Sequence, residues 1–231
     1  MGQTTEGFKN FDTLTKWVKY FLYIQIVVVT VAIASNFMEY QLLSDYQNGV
    51  YTSQEKAIAD GETNDQRQQL ISLAYIIVFI ISGFLILKWI YRANYNARQL
   101  GASGMKFTPG WSVGWYFIPI FNLWKPYQAM REIWKASHAP TDWTNVATSS
   151  DLRRWWFFWI VLSVIANISF RFSMNTEGLN KLIILNVVDQ ASELFSIPLA
   201  IVTLILINKI YLAQLKNLHK KVNKADEFIN E

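Results

Sequence analysis

Long runs of apolar residues, without the alternation of apolar and polar positions that is typical of half-buried strands, dominate this sequence. A helix needs roughly 20 predominantly apolar residues to cross the hydrocarbon core of a membrane. Four stretches meet this requirement, at about 17–37, 70–91, 155–174 and 182–208. Because backbone groups in lipid must be satisfied within the segment, these stretches predict α-helices. We therefore expect an all-α integral membrane bundle of four transmembrane helices, forming a single membrane domain over 1–231.

Charged residues are distributed unequally between the predicted spans. The segment 38–69 contains six carboxylates and only two cations, whereas 92–154 contains eight Lys or Arg residues and the tail 209–231 adds five Lys. Short loops that are rich in Lys and Arg stay on the cytoplasmic side of a membrane. The charges therefore predict an outer acidic segment at 38–69, an inner segment at 92–154 and cytoplasmic N- and C-termini.

Composition agrees with a membrane protein and excludes several kinds of chemistry. Charged residues make up 16% of the chain, whereas about 25% is usual in soluble domains. The absence of cysteine excludes disulfides, thiolate catalysis and zinc–thiolate sites. No nucleophile elbow, phosphate-binding glycine loop or dinucleotide fingerprint is present. We therefore expect no catalytic residues, cofactor or metal, and we attribute the net charge of +4 to the membrane topology rather than to nucleic-acid binding.

The segment Pro109–Trp124 is too apolar for an ordinary loop and too short for a span. Its 16 residues would extend about 24 Å as a helix, and Pro119 would interrupt that helix. We expect a re-entrant or interfacial segment that enters from the cytoplasmic side without crossing. Trp111 and Trp115 are four residues apart and would stack on one face. A structural plug, an element lining a pathway and a docking surface for a partner all remain open.

A short amphipathic helix follows this segment and begins at Pro126. Tyr127 and Trp134 lie on one side of it. The basic residues that would reach anionic headgroups are Lys125, Arg131 and Lys135. This pattern predicts an inner-face helix in contact with membrane lipids.

The residues around these elements carry a family resemblance. The runs are WIYRANYNARQLG, a Pro-Gly-Trp stretch and FIPIFNLWKPYQAMREIW, and the matching positions are Trp89, Arg92, Asn94, Gly101, Pro109, Trp111, Trp115, Pro119, Asn122, Pro126, Tyr127, Glu132 and Trp134. They resemble the bacterial membrane family described as domain of unknown function 4328. The resemblance is strongest over about 85–160. It implies a multi-pass protein of the bacterial cytoplasmic membrane and supplies no reaction. Arg92 and Asn94 form either a solvated helix end or a site for a phosphate or lipid headgroup.

Ionisable residues within the predicted spans are costly and mark candidate sites. Asp189 and Glu193 are four residues apart on the last span, with Asn186 on the same face. Arg171 lies at nearly the same predicted depth as Glu193, so we expect an Arg171–Glu193 ion pair. Asp189 is expected at the outer interface. A structural ion pair that sets helix register and a cation or proton site are both compatible with this pattern.

The sequence supports three hypotheses about function. The first is a non-enzymatic scaffold, regulator or subunit that binds lipid or a membrane protein partner. The second is a small oligomeric channel or transporter that uses Pro109–Trp124 and Glu193, which would require a homo-oligomer because four spans make a small carrier. The third, an intramembrane enzyme acting on lipid, has no visible catalytic residues to support it. A water-filled cavity that reaches Glu193 would favour transport, and a dry paired contact would favour a structural role.

Overall fold

A computed structural model describes residues 7–174 and 178–229 of the chain. Regular secondary structure within these ranges is helical throughout, which confirms the all-α prediction. The α-helices are α1 (Asp12–Gln47), α2 (Gln54–Gln99), α3 (Pro109–Gly114), α4 (Lys125–His138), α5 (Ser150–Ser173) and α6 (Leu179–Ile229), with 3₁₀ turns at Trp115–Phe117, Phe121–Leu123 and Pro140–Asn145. The last two residues of the predicted tail, 230–231, lie outside the described residues.

Four helices, α1, α2, α5 and α6, are long and apolar enough to cross a membrane, which confirms the predicted number. Three of them extend well beyond the apolar stretches. The 46 residues of α2 extend about 69 Å, and α1 and α2 are separated only by 48–53. Much of the acidic segment 38–69 is therefore helix rather than loop. The polar part of α2 is rich in Gln, Glu, Lys and Ala, whose high helix propensity continues the helix past its apolar run.

Contacts along the chain define two compact units. Unit 1 comprises Met1–Tyr20, Gly83–Trp156 and Val202–Glu231, and unit 2 comprises Phe21–Ser82 and Phe157–Ile201. Each of the four long helices contributes residues to both units.

Unit 1 has a core of buried aromatic and aliphatic side chains. Trp89 is fully buried, and its indole Nε1 donates a hydrogen bond to Thr15 Oγ1 at 2.9 Å. Phe11 packs against Trp89 and Tyr211, with ring centroids 6.0 and 5.3 Å apart. Buried aliphatic residues from α2, α4, α5 and α6 complete this core: Ile90, Ile133, Leu152, Leu206 and Ile210. The core gives the loops around α3 and α4 a rigid support.

Unit 2 buries fewer apolar side chains and exposes many large ones. Val29 and Ala32 of α1 are buried, whereas Leu70, Phe79 and Phe170 of the neighbouring helices are largely exposed. In a soluble protein such a surface would aggregate, whereas it suits helices that are surrounded by lipid.

At the α1–α2 connection, burial and a 2.9 Å hydrogen bond to Asp60 raise the pKa of Tyr51 to about 12.

Candidate functional site

The loop 105–107, which follows α2, is held by buried polar side chains of that helix. Asn94, which is completely buried, donates through Nδ2 to the Phe107 carbonyl at 3.0 Å. Arg98 donates to the carbonyls of Met105 and Phe107 at 3.0 and 2.8 Å, and its Nε donates to Asn94 Oδ1 at 3.2 Å. Asn94 is therefore a structural contact and not part of a solvated helix end.

Glu132 of α4 holds the same loop from the other side. Its two carboxylate oxygens accept hydrogen bonds from the backbone N–H groups of Lys106 and Phe107, at 2.9 and 3.1 Å. The side chain is buried. Hydrogen bonds to a charged acceptor are stronger than those between neutral groups. The carboxylate therefore fastens the loop to α4.

Further polar residues of α2 bind the N-terminal segment in the same way. Arg92 donates to the Asn10 carbonyl at 3.2 Å. Asn96 donates to the Lys9 carbonyl at 2.9 Å and accepts from the Lys9 N–H at 3.1 Å, so that it pairs with both backbone groups of one residue. Arg92 and Asn96 of α2 thus bind backbone groups of the N-terminal segment.

The predicted re-entrant segment Pro109–Trp124 is a short helix followed by turns. Thr108 Oγ1 accepts the Trp111 N–H at 3.2 Å and caps α3, which begins at Pro109. The rings of Trp111 and Trp115 contact each other with centroids 4.8 Å apart, as their spacing predicts. α3 ends at Gly114, and Pro119 lies in the turns beyond it.

A γ-turn centred on Ile120 follows Pro119. Ile120 has φ 70° and ψ −54°, and the Phe121 N–H donates to the Pro119 carbonyl at 2.8 Å. These are the angles of the rare classic γ-turn, which is strained for a β-branched residue. Asn122 donates its backbone N–H to the Ile118 carbonyl at 3.0 Å and continues the turn.

Helix α4 packs one side against other elements of unit 1 and carries cations on the other side. Pro126 and Trp134 are buried, and the Tyr127 ring lies 5.7 Å from that of Trp156. The Arg131 guanidinium lies 6.0 Å from the Tyr127 centroid, and Lys125 Nζ lies 5.5 Å from the Trp115 centroid.

Unit 2 contains a polar network centred on Glu39 of α1. Glu39 Oε2 accepts hydrogen bonds from Gln68 Nε2 at 2.9 Å and from Asn186 Nδ2 at 2.8 Å. Its Oε1 accepts a longer one from Asn64 Nδ2 at 3.4 Å. Gln68 Nε2 also donates to Asn36 Oδ1 at 2.9 Å. The network therefore joins α1, α2 and α6 through side chains.

Glu193 of α6 extends this network. Its Oε1 accepts a hydrogen bond from Asn36 Nδ2 at 2.9 Å. Its Oε2 is buried from solvent and has no hydrogen-bond partner among residues 7–174 and 178–229. A chain of amide and carboxylate groups thus runs from Glu39 through Gln68 and Asn36 to Glu193, and ends at an oxygen with no protein donor.

The predicted Arg171–Glu193 ion pair is not formed. Glu193 is bound to Asn36 of α1, whereas the Arg171 side chain is exposed on α5. The matched depths were estimated along two helices, but depth does not determine which way a side chain points around the helix axis. α5 instead meets α6 at Asp189, whose Oδ1 accepts the Ser169 hydroxyl at 2.9 Å.

Two adjacent cavities open onto the network. The larger has a volume of about 460 Å³, and residues that line it are Asn36, Glu39, Gln68, Tyr75, Asp189 and Glu193. The second, of about 370 Å³, shares Glu39 and Asp189 with the first. Across residues 7–174 and 178–229, no His, Asp and Glu side chains form a group of three that could hold a metal ion. The carboxylates are distributed around the cavity and do not converge on one point.

Sequence reasoning missed half of this site. The sequence singles out Asp189, Glu193 and Asn186, but it places Glu39 and Gln68 only in the outer acidic segment 38–69. The signal that could have found them is their helical spacing. Asn36 and Glu39 are three residues apart at the end of the first apolar run, and Asn186, Gln190 and Glu193 repeat at helical intervals on α6. Helices that continue into the polar sequence bring these amides and carboxylates together.

Comparisons with known proteins give one finding. A family model described as a domain of unknown function, number 4328, matches residues 53–211, which is well over half of the chain. No curated protein and no solved structure matches. The matched range contains loop 105–107, α4, Gln68 and Glu193, whereas Asn36 and Glu39 precede it.

Proposed function

Since the chain belongs to the family described as domain of unknown function 4328, whose description names no reaction, we propose a function from the cavity of unit 2. The protein is a non-enzymatic bacterial membrane protein that binds a small organic cation between α1, α2 and α6. It acts as a ligand-responsive regulator or subunit of another membrane system. Two observations carry this proposal: Glu193 lines a cavity together with Glu39 and Asp189, and one of its carboxylate oxygens is buried without a hydrogen-bond donor among the described residues.

Charge balance supports a cationic ligand. Carboxylates among apolar helices are costly unless they are paired. Neither Glu39 nor Glu193 forms an ion pair in the described part of the chain, and their hydrogen-bond donors are neutral amides. The nearby Arg67 donates to Ser35 and Asn64 rather than to a carboxylate. A cation from solution would supply the missing charge.

The lining of the cavity favours an organic cation over a bare metal ion. A dehydrated metal ion needs several oxygens within about 2.0–2.6 Å, and the carboxylates here do not converge. Ile71 and Tyr75 line the same cavity as Glu193. A volume of about 460 Å³ lies in the usual range for small-molecule sites. The tyrosine ring and aliphatic wall suit an ammonium group with an apolar substituent.

Thermal stability with a panel of amines tests this proposal. In detergent micelles, a primary or quaternary alkylammonium should raise the unfolding temperature, because a ligand at a hundredfold of its Kd stabilises the native state by about 2.7 kcal/mol. Alkyl alcohols of the same length should not. Glu193→Gln should abolish the shift, whereas Glu62→Gln removes the same charge from an exposed position on α2 and should retain it. An equal shift in Glu193→Gln and in the unaltered protein would contradict the proposal.

We also propose that both termini face the cytoplasm and that the acidic ends of α1 and α2 face outward. The charge distribution of the short segments supports this topology. Because the chain has no cysteine, single-cysteine variants can report it cleanly. In intact cells a membrane-impermeant maleimide should label Thr52→Cys, and it should label Ala147→Cys only after permeabilisation. The reverse pattern would overturn the topology.

Transport of the bound cation is a second candidate function, because the cavity reaches Glu193 as a transport site would. A chain with four candidate spans would then act as an oligomer. Proteoliposomes that accumulate a labelled alkylammonium down its gradient, with loss of uptake in Glu193→Gln, would favour transport. Binding without uptake would favour the regulatory role.

A further inference from the structure

The segment 109–124 of unit 1 turns an apolar face outward. Phe117 and Ile120 each expose 69% of their surface. The other large apolar residues exposed along this segment are Trp111, Phe121, Leu123 and Trp124. An apolar surface of this kind marks an interaction site. It lies in a different unit from the cavity and requires its own occupant.

The backbone is strained at Ile120, one of the two most exposed residues of this face. Ile120 adopts the γ-turn with φ 70°, a conformation that is strained for a residue with a side chain. Glycine would adopt it freely. The strain is accompanied by exposure of the isoleucine side chain rather than by burial in the core. An occupant that buries Ile120 would offset the cost.

Positive charge borders the same face. Residues 92–131 contain five Lys or Arg and no Asp or Glu. Lys125 Nζ lies 5.5 Å from the Trp115 centroid and 5.8 Å from that of Phe107, directly after the apolar segment. Arg131 is exposed one to two turns further along α4. The nearest carboxylate in sequence, Glu132, is buried against the backbone of loop 105–107.

We propose that this face inserts into the interfacial layer of a bilayer that contains anionic phospholipid. Phe117 and Ile120 enter the acyl region, Trp111 and Trp124 lie at the headgroup boundary, and Lys125 and Arg131 bind lipid phosphates. Tryptophan favours this boundary, and Lys and Arg side chains extend towards anionic headgroups. The complementary charge identifies an anionic lipid surface as the occupant. The inference does not rest on the cation site of unit 2.

Depth-dependent quenching tests insertion in the full-length protein. Ile120→Cys and Phe117→Cys, each carrying an environment-sensitive fluorophore, are reconstituted in nanodiscs of phosphatidylcholine and phosphatidylglycerol. Nitroxide attached near the top of the acyl chain should quench both labels several-fold more than a label at Ala147→Cys, an exposed position of the same unit. Equal quenching at all three positions, or quenching of Ile120 and Phe117 by aqueous iodide, would overturn the proposal.

Retention of lipid tests the charge recognition. Native mass spectrometry of protein purified from the mixed bilayer should show preferential retention of phosphatidylglycerol. The double variant Lys125→Gln/Arg131→Gln should reduce that preference about fivefold for each cation removed. Lys216→Gln/Lys220→Gln removes two exposed cations of α6 in the same unit and should reduce it less. Equal loss in both double variants would show unspecific attraction and overturn the assignment to this face.

A protein occupant would produce a different result. If a second copy covered this face, Ile120→Ser would convert a dimer to a monomer in detergent, and the Ile120 label would remain unquenched by lipid nitroxide. That combination would contradict the proposal.

Discussion

In unit 1 the polar side chains that hold loop 105–107 and the N-terminal segment bind backbone groups, whereas the polar side chains around Glu39 in unit 2 bind mainly one another. Asn94 and Glu132 pair with the carbonyl and N–H groups of loop 105–107. Glu39 and Gln68 pair with amide and carboxylate side chains from neighbouring helices. Only about 10–15% of the hydrogen bonds in proteins join two side chains. The network of unit 2 therefore stands apart from ordinary loop fastening.

This difference distinguishes side chains that have a structural role from side chains that can bind a ligand. A buried side chain that binds backbone groups fastens a loop in place. A network of side chains can rotate and exchange partners, so that it can reorganise around a ligand. The residues of the family resemblance that lie near the C-terminal end of α2 and in α4, such as Asn94 and Glu132, belong to the first kind. The second kind lies in the helix segments that belong to unit 2.

The largest expected effect follows from breaking the loop contact of unit 1. Glu132→Ala leaves two backbone N–H groups without acceptors, and unsatisfied buried groups cost about 1–3 kcal/mol each. We expect a loss of about 3 kcal/mol in the free energy of unfolding, with a lower unfolding temperature in detergent. Glu132→Gln retains one acceptor and should lose less. If Glu132→Ala unfolded at the same temperature as Glu62→Gln, the loop contact would have no structural role.

The sequence was sufficient to predict the fold because membrane solvation leaves few alternatives. The four apolar runs had to be helices. Pro119 predicts that the 109–124 segment is broken, and the segment is broken, although α3 already ends at Gly114. The helix ends were not predicted. α1 and α2 continue through polar sequence to Gln47 and from Gln54, because helix propensity acts outside the membrane as well. Hydropathy marks where a helix meets lipid and not where it ends.

The candidate site was less predictable because it depends on rotation of helices about their axes. Glu193 could be singled out from its position in an apolar run. Its partner could not, since Arg171 and Asn36 lie at comparable distances along their helices and only packing decides which one faces it. Glu39 was missed because it lies just beyond the apolar run. Contacts between helices determine both outcomes. These contacts cannot be recognised from one sequence alone.

An intermediate effect is expected from breaking the network of unit 2. Gln68→Leu removes hydrogen bonds to Asn36, Glu39 and Ser35. We expect a loss of about 2 kcal/mol, since each hydrogen bond contributes about 0.5–1.5 kcal/mol net. The double variant Gln68→Leu/Asn36→Leu should lose clearly less free energy of unfolding than the sum of the two single losses, because the residues share one network. Strict additivity in chemical unfolding would show that no network exists.

A smaller, stabilising effect is expected at the tip of segment 109–124. Ile120→Gly should raise stability in detergent by about 1 kcal/mol, because glycine adopts φ 70° without strain. Ile118→Gly is the matched control. Ile118 has φ −95°, so its replacement should lower stability by about 0.5–1 kcal/mol. A loss of stability in both variants would mean that the γ-turn stores no strain.

The smallest effect is expected at Arg171, which lies in unit 2 with Glu193 but does not pair with it. Its guanidinium is exposed and makes no ion pair with Glu193, so Arg171→Gln should change stability by less than about 0.5 kcal/mol. Glu193→Gln should likewise have little effect on folding, because its amide can still accept from Asn36. The double variant should equal the sum of the single variants, as for independent sites. A coupling energy of about 1 kcal/mol or more between the two positions would restore the ion pair and make Glu193 a structural residue. Additivity, together with loss of the alkylammonium shift in Glu193→Gln, would leave the carboxylate with a role in ligand binding alone.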